Sequence, residues 1–352
     1  MPKIEELELG FRQAAGKGDV LGLRRFANSP MNININSSGT GSKQTALHRA
    51  AAGGHKDALM LLINLGCDLE ARDKDGKKAE ELAKNEQVCK IFEQVGLAKK
   101  AIAATKQFFP KRSLESYDGI YQPPEHLEHK TKCSQAIEKS YSEIACDWEK
   151  HYREEVRQWN KPQPSEKDVE RWNNQWDVCK RYVKRLLTMQ FYLKVANQTN
   201  YKVCSCEEAV VVSLTSLAFV EKTNYLLESA GIFTTRDSNK NHAVLVMNRP
   251  NSDINDLTTW GDALIIDPYY ERIFFMEYLR DYKIDTTFSI PETINVEILF
   301  SSTLPSLDPF PLTHEFYEQI VSYLREQIVD ELAKRGIVQE TTSSETASMR
   351  LS

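Results

Sequence analysis

A cysteine, a histidine and an aspartate stand in three short stretches of the chain, in an order that suits thiol chemistry. The first is Val203-Cys204-Ser205-Cys206-Glu207-Glu208-Ala209, the second Asn241-His242-Ala243-Val244-Leu245-Val246-Met247, and the third Ala263-Leu264-Ile265-Ile266-Asp267-Pro268-Tyr269. A thiolate attacks an acyl carbon once a base has taken its proton, and the base works once a third group orients it. The first stretch precedes an apolar run that could open a helix, whose unpaired N–H groups and dipole favour a thiolate. His242 starts a run of strand formers and Asp267 ends one, so both are expected at strand ends that hold a side chain rigidly. A packing role for all three is the competing reading.

These residues need elements to position them. After Cys206, Val210, Leu214 and Leu217 share one helical face while Val211, Val212 and Ala218 fill the others, the pattern of a buried helix. Three consecutive valines also permit a strand. The sequence then predicts that Tyr225 to Gly231 continues helically with Gly231 as terminator, that Ile232 to Arg236 is a strand and that Asp237 to Asn241 turns. Ala243–Met247 and Ala263–Ile266 read as buried strands, and Ile273–Tyr278 and Val296–Phe300 as further ones. Thr313 to Arg335 is a closing helix. Upstream, residues 131–159 and 165–197 read as two long helices. Ile137, Tyr141, Ile144, Trp148, Tyr152 and Val156 recur at helical spacing, as do Val169, Trp172, Trp176, Cys179, Val183, Leu186 and Leu187. Pro162 and Pro164 mark the turn, and Ser165 with Asp168 can form a cap box. Tryptophans at this spacing read as helix-packing core rather than as a substrate platform.

The first hundred residues contain an internal repeat. Thr45-Ala46-Leu47-His48-Arg49-Ala50-Ala51, Gly53-Gly54-His55, Ala58-Leu59-Met60-Leu61-Leu62-Ile63, Leu65-Gly66-Cys67-Asp68 and Asp73-Lys74-Asp75-Gly76 closely resemble an ankyrin repeat. Leu47, Ala50 and Ala51 make a face on which a second helix can pack. Gly54 fits the tight turn and Gly66 a left-handed helix end. Leu59, Leu62 and Ile63 bury the second helix. The resemblance implies that His48 bonds backbone between repeats. A weaker copy precedes it, from Phe11 through Asp19 and Leu21 to Phe26. A third starts at Asp75-Gly76 and runs through Ala79, Leu82, Ala83, Val88 and Ile91 to Val95, more charged, as a terminal cap is. Such a stack either recruits a protein partner or braces the second domain. The domain plan is ankyrin repeats over 1–97, a junction over 98–130, a cysteine-protease-like domain over 131–337 and a disordered tail over 338–352.

Composition narrows the classes. The 352 residues suit two domains, and 41% hydrophobic residues suffice for packed cores. The net charge of −5 excludes a general binder of nucleic-acid backbone. No apolar run has membrane-spanning length, and Met1-Pro2-Lys3-Ile4-Glu5-Glu6 has no signal-peptide core. Seven scattered cysteines argue against a disulfide framework and for a reducing compartment. Glu125, His126, Glu128 and His129 have a spacing that metals use, but with no cysteine or second cluster nearby the sequence implies no metal and no cofactor.

Taken together, Cys206-Glu207-Glu208-Ala209, Asn241-His242-Ala243-Val244-Leu245-Val246, Trp260 and Ile265-Ile266-Asp267-Pro268-Tyr269 resemble the active-site blocks of papain-like and transglutaminase-like cysteine enzymes. The likeness is greatest to YopT-type peptidases of bacterial virulence proteins. Aligning Glu208 with the glutamate of the first block makes Cys206 the nucleophile, with Cys204 the alternative. Cys204 stands where the family has glycine, and Ala209 comes one residue early. The resemblance implies an ankyrin solenoid followed by an α+β papain-like fold. In it Cys206 attacks, His242 takes the proton and Asp267 orients the imidazolium. The Cys206 N–H and an amide of Gln198 or Asn200 would hold the oxyanion. Peptide hydrolysis leads the possible reactions. Glutamine deamidation and transamidation share the trio, and a binding module with an inactive protease-like domain is the non-enzymatic alternative. Joined to ankyrin repeats, the domain is similar to effectors that Legionella and related intracellular bacteria inject into host cells. That implies a monomer acting in the host cytosol on a host protein held by the repeats, with a tail suited to type IV secretion.

Overall fold

The computed structural model describes residues 3–112, 124–157, 165–200, 202–234, 241–281, 294–302 and 314–338. In chain order the helices are α1 (Ile4–Lys17), α2 (Val20–Ala27), α3 (Ala46–Gly53), α4 (Lys56–Asn64), α5 (Glu86–Phe108), α6 (Pro124–Arg157), α7 (Glu166–Gln198), α8 (Cys206–Thr215) and α9 (His314–Ala333). The strands are β1 (Lys111–Arg112), β2 (Val203–Cys204), β3 (Leu227–Thr234), β4 (Asn241–Met247), β5 (Leu264–Asp267), β6 (Arg272–Phe275) and β7 (Ile294–Ser301). β1 and β2 pair in parallel, and the larger sheet has the order β6-β5-β4-β3-β7. The chain divides into two compact units. One comprises Met1–Lys100, Ile232–Ser238 and Val246–Glu297; the other comprises Ala101–Gly231, Asn239–Leu245 and Ile298–Ser352.

In the first unit, α1 to α4 form paired antiparallel helices. Phe11, Ala14, Ala15, Leu23, Leu47, Ala50, Ala51, Leu59 and Leu62 are buried between them, each large apolar side chain contributing roughly 1.5–3 kcal/mol. Gly54 (φ 73°) and Gly66 (φ 82°) take the left-handed conformation that the turns require. Side chains tie one repeat to the next through backbone. His48 Nε2 meets the Lys77 carbonyl at 3.0 Å, while its Nδ1 meets Thr45 Oγ1 at 2.8 Å. The Asp68 N–H donates to Asn36 Oδ1 at 2.8 Å, and Asn85 Nδ2 donates to the Gly54 carbonyl at 2.9 Å. The third copy departs from its expected form. Its first helix is only a 3-10 turn over Ala79–Leu82, because Ala83 returns to extended backbone (ψ 127°). Its second helix, α5, runs on to Phe108, past the expected start of the junction.

The same unit contains the hairpin β5–β6 in antiparallel register, Leu264 opposite Phe275 and Asp267 opposite Arg272. The strand expected over Ile273–Tyr278 stops at Phe275. Met276–Asp281 folds as a 3-10 turn, whose first N–H groups reach back to Ala263 and Gly261. α4 packs against β6 and this turn, and every residue from Ala58 to Asn64 is buried.

In the second unit, α6, α7 and α9 pack together. Trp148, 1% exposed, lies 4.3 Å from the half-buried Trp176 and stacks on Tyr317 at 5.6 Å between ring centroids, so Trp148 is core, while Trp159 and the side chain of Trp172 lie outside the described residues. Ser165 caps α7 in a box with Asp168. Arg335, just beyond α9, joins three helix ends. Its Nη1 donates to the Phe108 carbonyl of α5 at 2.7 Å, Nη2 to the Ala196 carbonyl of α7 at 2.8 Å, and Nε to Asn197 Oδ1 at 2.7 Å. Asn197 in turn donates to Glu331 of α9.

The helix expected over Tyr225–Gly231 is not formed. α8 passes into a π-turn over Ser216–Val220, and β3 begins at Leu227. The run Leu227-Glu228-Ser229-Ala230-Gly231 carries both periods, and a place inside the sheet, between β4 and β7, decides for strand. The predicted turn at Asp237–Asn241 falls outside the described residues except Asn241, and the predicted tail falls outside them from residue 339.

Candidate active site

The second unit carries the candidate thiols. β2 ends at Cys204, which is 1% exposed and lies opposite Arg112 of β1. The Lys111 N–H donates to the Lys202 carbonyl at 3.0 Å, which anchors the approach to α8. Ser205 then takes extended backbone (φ −83°, ψ 171°) and caps the helix, so Cys206 becomes the first residue of α8. The cap is a reciprocal box. The Ser205 N–H donates to Glu208 Oε2 at 2.9 Å, the Ser205 hydroxyl donates to the same oxygen at 3.1 Å, and the Glu208 N–H donates to Ser205 Oγ at 3.4 Å. Both side chains are buried, whereas Cys206 is half-buried. The Ser-x-x-Glu signature before an apolar run was present in the sequence; it assigns Glu208 a capping role that alignment to a family block alone does not show.

α8 is seated by small polar groups. Thr105 Oγ1 of α5 lies 2.8 Å from Ser213 Oγ and donates to the Ala209 carbonyl at 3.1 Å, and Ser213 Oγ is 3.1 Å from the Ala101 carbonyl. Ala209, Val210, Val212 and Leu214 are buried around them, so the helix is apolar nearly all round, as expected. His242 belongs to the same unit, as the second residue of β4, and is half-buried. Gln198 and Asn200, the expected oxyanion amides, are exposed at the end of α7, and Asn200 takes a left-handed conformation (φ 51°).

Asp267 belongs to the first unit. It ends β5 and is 5% exposed, and its Oδ1 accepts the Tyr270 N–H at 3.0 Å. That bond closes the turn from β5 to β6, whose last position, Glu271, has φ 57°. Asp267 therefore has a turn-forming role whether or not it takes part in chemistry. Trp260, also in this unit, is buried at the end of a 3-10 turn, with the Arg249 guanidinium over its ring at 5.6 Å.

The remaining cysteines sort by environment. Burial, then the charge of Glu208, pushes Cys133 up to about 12. Burial, then Asp68, pushes Cys67 up to about 12, and burial pushes Cys179 up to about 11. Those three are protonated and shielded at neutral pH. Cys89, in the first turn of α5, and Cys146, in the middle of α6, are exposed. Glu128 pairs with Lys132 at 2.6 Å, and the side chains of Glu125, His126 and His129 lie outside the described residues.

Residues 42–74 match the family model of the ankyrin repeat. No curated protein and no solved structure matches the chain. The repeat points to protein–protein interaction, the general use of such stacks. Among the described residues no helix is long and apolar enough to cross a membrane.

Proposed function

We propose that the chain is a thiol-dependent acyl-transfer enzyme, foremost a peptidase, acting on a protein recruited by its ankyrin repeats. One observation carries the reading. A half-buried cysteine, Cys206, opens a capped, apolar helix, while its neighbour Cys204 is buried in a strand. Cys206 Sγ attacks the acyl carbon and gives its proton to His242. The imidazolium, held by Asp267, then protonates the leaving amine, and water releases the acyl group by the reverse path. In this reading the fold around the trio is papain-like, and the protein is a monomeric bacterial effector working on a host protein. The Cys206 N–H at the start of α8 would hold the oxyanion, with Gln198 or Asn200 as the second donor.

The test is mass spectrometry of host-cell proteins after incubation with wild type and Cys206→Ala. Cleavage products formed only by wild type support a peptidase. Conversion of glutamine to glutamate, or new isopeptide cross-links, would replace hydrolysis by deamidation or transamidation at the same thiol. Identical products from both proteins, or loss of activity in Cys204→Ala but not in Cys206→Ala, would overturn the assignment of the nucleophile. A second reading, a binding module without turnover, is favoured by the turn-forming bond of Asp267 to Tyr270. It requires Cys206 to alkylate no faster than the exposed Cys89 and Cys146.

A further inference from the structure

One side chain of the ankyrin stack completes the edge of a strand. Asn64, the last residue of α4, is 2% exposed. Its Nδ2 donates to the Phe275 carbonyl at 2.8 Å, and its Oδ1 accepts the Phe275 N–H at 2.8 Å. A carboxamide bound this way reproduces what a neighbouring strand would offer one residue of β6. Strand β6 is an edge of its sheet, and a buried edge needs such partners. At the opposite end of α4, Lys56 forms an ion pair with Asp262, and the Arg24 guanidinium of α2 lies over the Tyr278 ring at 5.5 Å. The repeat therefore grips both the residues just before the hairpin and those just after it.

We propose that Asn64 is a positioning residue for Asp267. The linkage is short and lies in one unit. Asn64 fixes Phe275, and Phe275 stands opposite Leu264 at the open end of the hairpin. The register then runs through Ile265–Phe274 and Ile266–Ile273 to Asp267–Arg272. Two residue pairs separate the lock from the carboxylate. A slip of one residue would turn each side chain to the opposite face, so the lock at Phe275 fixes which face Asp267 occupies and where its turn closes. The repeat thereby has a second task besides recruitment. Its catalytic consequence rests on the role proposed above for Asp267; its structural content does not.

The test uses the full chain with Asn64→Leu and Asn64→Asp. Leucine fills the space but leaves the Phe275 N–H and carbonyl without partners. Aspartate keeps the acceptor and, when ionised, sets an oxygen against the Phe275 carbonyl. Once protonated it offers the same donor–acceptor pair as asparagine. Hydrogen–deuterium exchange is read on peptides covering Phe275 and Tyr270, whose N–H reports the Asp267 turn. The expected result is exchange at least 10-fold faster at both sites in Asn64→Leu, and in Asn64→Asp a loss of protection at pH 8 that recovers toward pH 5. Faster exchange at Phe275 with Tyr270 unchanged would overturn the proposal, as would no acid recovery in Asn64→Asp. Alkylation of Cys206 by iodoacetamide across the same pH range separates the two readings. If His242→Ala leaves the profile unchanged while Tyr270 responds to Asn64, the acyl chemistry fails and the positioning stands. If His242→Ala shifts the profile and neither Asn64 variant does, the catalytic consequence of the positioning is refuted.

Discussion

Removing the carboxylate that caps α8 should loosen the start of that helix, and the structure sets the size of the effect. In Glu208→Ala the buried Ser205 N–H loses its 2.9 Å acceptor, a charge-assisted bond of about 1.5–3 kcal/mol. The Ser205 hydroxyl loses a longer bond of 3.1 Å, for about 0.5–1 kcal/mol. A negative charge at a helix N-terminus adds about 0.3–1 kcal/mol. Relief of a carboxylate that is 1% exposed opposes these terms, leaving a net loss of about 2 kcal/mol. Glu208→Gln keeps a neutral oxygen for both donors and should lose about half as much. Cys133 is the local reporter, being fully buried and near the Glu208 charge. Its reaction with a disulfide reagent at pH 8 requires opening, so the rate follows the open population. A 2 kcal/mol loss corresponds to an increase of about 30-fold in Glu208→Ala, against about 5-fold in Glu208→Gln. Equal rates in the two variants would show that charge rather than the acceptor holds the cap. A wild-type rate in Glu208→Ala would refute the capping role.

Three further outcomes are expected on the same grounds. In the native protein at pH 8, Cys67, Cys133 and Cys179 should resist alkylation while Cys206, Cys89 and Cys146 react; rapid labelling of Cys179, pushed up to about 11 by burial, would contradict the packing of α7. Asp267→Ala leaves the Tyr270 N–H without its acceptor, at a cost of about 1–3 kcal/mol, whereas Asp267→Asn keeps an acceptor and should melt close to wild type; equal loss in both would mean that the charge matters and the turn bond does not. The Glu70 carboxyl is held down to about 2, first by its hydrogen bond from Lys78 and then by Lys99. Its folded pKa is depressed, so its stabilisation is present above the unfolded value of about 4.3 and disappears as pH falls from there toward 2. The carboxylate is largely exposed, so salt should weaken the effect, and Glu70→Gln should flatten the acid limb of the thermal-melting profile at low salt; an unchanged limb would remove Glu70 from the account.

Local patterns carried the elements that depend on local chemistry. The glycines at 54 and 66, the Ser165 box and the apolar spacing of α6 and α7 each specify their own geometry. Residues 225–234 did not, because Leu227 to Gly231 fits either period and sheet pairing settled it. The capping role of Glu208 was legible as Ser-x-x-Glu, within the stretch whose resemblance to cysteine-enzyme blocks rests on Cys206. The covered outer side of α4 was legible too. Ala58-Leu59-Met60-Leu61-Leu62-Ile63 is apolar on every side, more than a helix facing solvent on one side needs. What the sequence could not express is the partner. Asn64 looks like an ordinary polar helix end until Phe275, 211 residues later, is placed against it.

The Arg335 junction bears on how the chain becomes folded. The guanidinium closes bonds to Phe108 and Asn197 across 227 and 138 residues, so it can act only after nearly all of the second unit has left the ribosome. Until then the carbonyl ends of α5 and α7, from which β1 and then β2 with the thiol helix continue, have no such clasp. Closing loops of this length is slow relative to helix formation. During synthesis the nascent thiol region would therefore remain loosely assembled, and its fastening would be a late event of translation rather than an early one. A chain stopped before Arg335 should keep its helices yet fail to fasten them.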